Sequence, residues 1–224
     1  MNQPDGQSFF QRAFFLAIGL FIMAFGTALS VQALLGTSPI TSVPLVLHLW
    51  RPAWSVGAIT IAMNVFFLLA TAVLRRHVSA RQIIQIALLG YYGFCIDLNI
   101  CLLKDVSRLS YPVRLSLTFP GAALAGFGVW AQVHSRFPML PGDGLVKTIS
   151  EVFRFDFAKT KIVFDCILVV TAVLLSKGTM GVINGVREGT LIAAIFVGVS
   201  VKVYEHVWHW KSVGIFVGKA DPSR

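Results

Sequence analysis

Charge is what this sequence has least of. Charged residues make up 13% of its 224 positions, and Asp and Glu together number only ten. Water-soluble domains average roughly 25% charged residues, about twice as many. So few charges cannot cover the surface of a soluble particle of this size, which excludes an ordinary cytosolic enzyme and a disordered regulator. Cysteine is scarce as well: Cys95, Cys101 and Cys166 lie in apolar runs, with no C-x-x-C pair and no neighbouring His at metal-ligand spacing. That excludes a disulfide-stapled module and leaves the three as small packing residues. The five histidines (His48, His77, His134, His206 and His209) are scattered without an H-x-x-x-H pattern. There is no phosphate-binding loop, no activated serine or cysteine, and no pair of carboxylates suited to a soluble cleft. The expectation is a protein that is not an enzyme and needs neither cofactor nor metal.

Apolar residues, at 56%, are what the chain has in excess. A membrane-crossing helix needs about 20 largely uncharged residues. Six stretches qualify: 13–35, 52–74, 83–103, 113–133, 160–176 and 188–208. The third is interrupted by Asp97, the fourth by Arg114 and Pro120, the fifth by Lys161 and Asp165, and the sixth by Lys202 and Glu205. The first run is longer than the 7–15 residues of a secretory signal and is followed by further spans, so it reads as a mature helix. Trp50 with Trp54, and Trp208 with Trp210, read as interfacial aromatic pairs.

Six crossings place both termini on one side. Of the nineteen Lys and Arg, all but Arg51, Lys104, Arg108, Arg114, Lys177 and Arg187 then fall on the side of the N-terminus. Short cytoplasmic loops carry the excess of Lys and Arg, so both termini are expected in the cytoplasm. The net charge of +9 is thereby a topology signal, and the interruption of basic residues by long apolar runs argues against nucleic acid.

The two halves resemble each other at an offset of 102 residues. Phe25-Gly26 falls over Phe127-Gly128, and Pro39 over Pro141. Each proline follows a long apolar run and opens a segment too short to span. Next comes an apolar stretch with one polar residue, Asn64 or Asp165, and then Thr71-Ala-Val-Leu74 or Thr171-Ala-Val-Leu174. Seven residues after Gly90 stands Asp97, and seven after Gly198 stands Glu205. Three crossings per unit is an odd number, so a duplicated unit enters the membrane from the opposite face. The expected fold is therefore all-α: six transmembrane helices as two inverted three-helix repeats, 13–103 and 113–208. A loop at 104–112 joins them, and cytoplasmic tails at 1–12 and 209–224 flank them.

Many secondary transporters with this architecture hold their ligand between the repeats at short or broken helices. That points to Pro39, Thr41 and Ser42 from one half and Pro141, Gly142, Asp143 and Gly144 from the other as substrate-binding residues. Asp143 is placed as a helix N-cap, and Thr41-Ser42-Val43-Pro44 carries cap and proline signals of its own. Beyond Asp143, Leu145, Ile149, Val152 and Phe153 share one helical face, so the segment either lies on the membrane surface or dips into the protein with its N-terminus inward. Charges at membrane depth cost about 2.5–3.5 kcal/mol each on insertion scales and need partners. Asn64, Asp97, Lys161, Asp165, Arg187 and Glu188 are accordingly candidates for coupling or gating, or for salt bridges between helices. Lys161 is spaced to reach Asp165 along one face. Ala24 with Ala28, and Gly121 with Ala125, are small-residue pairs suited to close helix approach.

Pro141-Gly-Asp-Gly-Leu145, the run from Lys161 through Asp165 to Val170, and Arg187-Glu-Gly-Thr190 with the following Ala193 to Gly198 resemble the YitT/YczE-like family of bacterial integral membrane proteins. Leu35-Gly-Thr-Ser-Pro39, Gly90 and Asp97 fit the same pattern, and the resemblance spans about residues 10–205. Part of that family continues Pro-Trp-Asp where this chain has Pro39-Ile40-Thr41, so no acid is carried over there. The resemblance implies a small multipass protein of the plasma membrane. The function expected is a permease for a small polar solute. The alternatives are a substrate-capture subunit of a multi-component importer, or a scaffold or regulator. The partners expected are the lipid bilayer, the solute, and a second copy or a partner membrane subunit.

Overall fold

The computed structural model describes residues 9–76, 80–135 and 137–217. His77 and the basic residues Arg136, Lys219 and Arg224, counted above on the cytoplasmic side, lie outside those described, as do the side chains of Arg81, His209, Trp210 and Lys211. Among the described residues the chain is all helical, with eight α-helices and a 3₁₀ turn at Lys104–Arg108. The helices are α1 (Phe9–Gln32), α2 (Pro39–Trp50), α3 (Val56–Arg75) and α4 (Ala80–Leu102), then α5 (Tyr111–Ser135), α6 (Pro141–Phe153), α7 (Phe157–Met180) and α8 (Glu188–Val217).

Five of them, α1, α3, α4, α7 and α8, are long and apolar enough to cross a membrane. Helix α5 matches them in length but carries Arg114, Ser116, Thr118, Gln132 and three glycines. Its setting explains the composition, because α5 makes its largest contact with α1 and a further one with α8. Where two helices touch each other, small residues permit close backbone approach. A Cβ added at Gly26 would strike the Gly121 carbonyl, and one added at Gly128 would lie 2.8 Å from the Gly19 carbonyl. Ala24 and Ala28 are buried with them. The two helices run antiparallel: Phe9 meets Phe137 at one end, with ring centroids 5.3 Å apart, while Ser30 lies beside Gly121 at the other.

Around this pair the remaining helices pack in a recurrent scheme. Helix α4 packs on α1 and α8 on α5; α2 packs on α7 and α3 on α6; α2 also touches α3, and α6 touches α7. The exception is that α3 packs along α4 whereas α7 and α8 make no comparable contact among the described residues. Two apolar cores result. One joins Leu16, Leu20 and Ala24 to Leu89, Tyr92 and Ile96; the other joins Val43 and Val46 to Phe67, Leu145, Leu168 and Ala172.

Candidate functional site

The two short helices start in the same way. A residue before proline is driven to extended backbone, and proline suits the first helical position because its missing N–H would have no intrahelical partner. Ser38 (φ −57°, ψ 151°) precedes Pro39, and Leu140 (φ −56°, ψ 146°) precedes Pro141. This corrects two readings made from sequence. Asp143 is not the N-cap of α6: Leu140 holds that place and Asp143 sits in the first turn. Likewise Pro44 lies inside α2 rather than at its start.

Helix α6 does not lie across the ends of its neighbours. It runs parallel to α3: the Gly142 N–H donates to Asn64 Oδ1 (3.2 Å), and Arg75 at the end of α3 donates to Thr148 (3.0 Å) and Glu151 (2.7 Å). Eleven helical residues separate Asn64 from Arg75, or about 16 Å at 1.5 Å per residue. The N-terminus of α6 thus stands deep in the bundle, and its C-terminus returns to the end where α1 begins. At the deep end of α6, Gly142 faces the start of α2: a Cβ added to it would lie 3.3 Å from Ile40 Cδ1 and 3.7 Å from Asn64 Oδ1.

The irregular backbone leading to this point needs hydrogen bonds that water cannot supply. Two amides provide them. Gln132 Oε1 accepts from the Leu140 N–H (3.0 Å), and Gln85 Nε2 donates to the Met139 carbonyl (2.6 Å). Neither glutamine was singled out from sequence, although an amide inside an apolar run is the same signal that marked Asn64.

Beside the start of α6, one lysine serves two acids. Lys161 Nζ lies 3.0 Å from Asp143 Oδ1 and 2.9 Å from Asp165 Oδ1. The three side chains retain 27%, 13% and 24% of their exposure, so water reaches the cluster only in part. Fully ionised, it carries a formal charge of −1.

The other sequence-marked residues are placed as follows. Pro39, Thr41, Ser42, Pro141 and Gly142 are buried, and Gly144 is half-buried. The hydroxyls of Thr41 and Ser42 are held locally, Thr41 by Ser38 (3.0 Å) and Ser42 by donating to the Pro39 carbonyl (2.6 Å). Asp97 is not part of the lysine cluster. It accepts from Ser55 Oγ (2.6 Å) and the Gly57 N–H (2.7 Å), clamping α4 to the first turn of α3. Arg187 and Glu188 pair with each other (3.2 Å) at the opposite end of α7 from Lys161, where Tyr111 also donates to Glu188 (2.8 Å).

Two further arginines bind the ends of the α1–α5 pair, a role visible only in three dimensions. Arg12 donates to the Ser135 carbonyl (2.9 Å), and Arg114 donates to the Ala33 carbonyl (3.1 Å). Each reaches the C-terminal end of the helix that carries the other, Arg12 from α1 to α5 and Arg114 from α5 to α1.

Apolar helices of spanning length, buried polar groups and two short inward helices define a helical membrane protein. The chain belongs to DUF6198, a family of unknown function whose profile matches residues 10–206. It is similar to the uncharacterized protein YyaS of Bacillus subtilis (strain 168), at 24% identity over 193 residues that cover 85% of this chain and 90% of that one. No solved structure shows significant similarity to it.

Proposed function

We propose that the chain is a small secondary transporter of the YitT/YczE-like type, made of two inverted repeats and moving a small polar solute. Its place in this reading is the bacterial plasma membrane, crossed six times, with both termini cytoplasmic. The duplication is supported by contacts that exchange when 102 is added to one partner and subtracted from the other. Gly26 against Gly121 becomes Gly128 against Gly19, and Arg114 on Ala33 becomes Arg12 on Ser135. Antiparallel α1 and α5 agree with a two-fold axis in the membrane plane.

The observation that carries transport is the meeting of the two short-helix N-termini deep in the bundle, beside Asp143, Lys161 and Asp165. Helix N-termini concentrate free N–H groups and positive potential, and secondary transporters hold polar ligands at such breaks. The lysine cluster supplies the coupling group, since its excess negative charge is neutralised by one proton or one monovalent cation. Residues of both short helices, Pro39, Thr41 and Ser42 with Pro141, Gly142, Asp143 and Gly144, are the proposed lining. Apolar side chains from Val43 to Ala172 pack between these helices, so in this reading passage of a solute requires the α2–α7 pair to shift against the α3–α6 pair.

The test is solute-evoked current on a solid-supported membrane, using purified protein in liposomes and a panel of small polar solutes. At least one solute should give a current that Asp165→Asn removes without lowering the melting temperature. Binding without movement by the chain alone would instead assign a substrate-capture subunit. An absence of binding together with a co-purifying partner would assign a scaffold or regulator.

A further inference from the structure

At the far end of α7 from the lysine cluster, a cleft of about 330 Å³ opens between the α1–α2 connection, α2 and the α7–α8 connection. Its wall is of two kinds. Leu34, Leu45 and Leu49 supply an apolar side, and the Leu34 and Leu49 side chains are partly exposed there. Arg114 and Arg187 supply a cationic side.

Arg114 is not fully satisfied. Arg114 is anchored through Nη1 to the Ala33 carbonyl, but its buried Nε has no hydrogen-bond partner among the described residues. Its counterpart Arg12 is also bonded to a carbonyl, yet its guanidinium is covered by the Phe137 ring at 5.6 Å. No aromatic ring among the described residues covers Arg114 in that way. Arg187 has one acid, Glu188, which is shared with Tyr111. The lining residue Gly36, at φ +97°, lies directly against Thr190, whose buried Oγ1 is likewise unpartnered among the described residues. Two guanidinium groups, of which that of Arg187 alone is paired to a carboxylate among the described residues, leave a unit of positive charge at a partly apolar cavity. Charge-assisted bonds from guanidinium to carboxylate or phosphate are short and strong where water is restricted.

We propose that this cleft binds an amphipathic anion, its carboxylate or phosphate head on Arg114 and Arg187 and the start of its apolar chain on Leu34, Leu45 and Leu49. The site stands apart from the proposed transport path and does not depend on it. The test is thermal unfolding of the full chain in phosphatidylcholine nanodiscs under three conditions: added sodium decanoate, partial replacement of the lipid by phosphatidylglycerol, and added inorganic phosphate. The melting temperature should rise with decanoate if the natural ligand is a free acid, or with phosphatidylglycerol if it is a membrane lipid. The rise should be lost in Arg187→Gln and in Leu49→Ser, two partly exposed positions whose variants keep the unliganded melting temperature. A response to neither amphiphile would overturn the proposal. So would a rise that survives both substitutions, or one matched by inorganic phosphate alone.

Discussion

Lys161 shows what a single side chain decides here. Removing the one cation of a cluster that water reaches only in part leaves both acids uncompensated, at a cost that approaches but stays below the about 3–5 kcal/mol of a fully buried pair. Lys161→Met would leave Asp143 and Asp165 facing each other, so it should unfold far more readily than wild type in thermal or detergent titration. Asp165→Asn still leaves Lys161 with Asp143 and should stay within about 1 kcal/mol of wild type, in the range of a partly exposed pair. Equal losses from the two substitutions would dissolve the idea of a shared lysine. Asp97 carries the same insertion cost in sequence, but Ser55 and the Gly57 N–H already hold it. The expense of a charge at depth says that it has partners; it does not say which. Asp97 and Asp165 are therefore alike on paper and unlike in the fold.

At the scale of the element, the two proline-led helices and the small-residue crossing carry the architecture. Proline after an extended residue is a local signal, and it places the starts of α2 and α6 directly. The depth of α6 is a different matter, because it depends on Asn64, Gln85 and Gln132 on three other helices. An amphipathic pattern alone fits a surface helix equally well. Glycines divide in the same manner. Gly90 and Gly198 align between the halves, yet a side chain added at either meets nothing within 4 Å, whereas Gly26 and Gly128 are locked against backbone. Gly26→Val should force α1 from α5 and cost at least the 1–3 kcal/mol typical of overpacking. Gly198→Val should be nearly silent. Measuring both variants by thermal unfolding in the same detergent separates the close crossing from composition.

Over the whole molecule, the α1–α5 pair acts as a hub from which equivalent contacts radiate, with one departure. Helices α3 and α4 pack along each other through Gly57, Gly93 and Asp97, while Glu205 on α8 turns to His134 on α5, 3.3 Å away. Among the described residues, α7 and α8 make no contact comparable to that of α3 with α4. The proposed topology makes a direct prediction for single cysteines placed in a chain with Cys95, Cys101 and Cys166 replaced by serine. Arg51→Cys should react with a membrane-impermeant maleimide on intact cells, and Arg154→Cys only after lysis. Labelling of both from the same side would refute the inverted arrangement.

The order of apolar runs, their lengths and the two prolines by themselves determined that this is a helical membrane protein and where most of its helices lie. These are local properties, since span length is matched to a membrane and proline acts on its own neighbours. Only the tertiary structure decided which buried polar groups meet and how deep α6 reaches. Asp97 finds Ser55 across 42 residues, and Gly142 finds Asn64 across 78. In a bundle of similar apolar helices such partners follow from which faces pack together, and that choice rests on glycine contacts and amide bonds between helices distant in the chain.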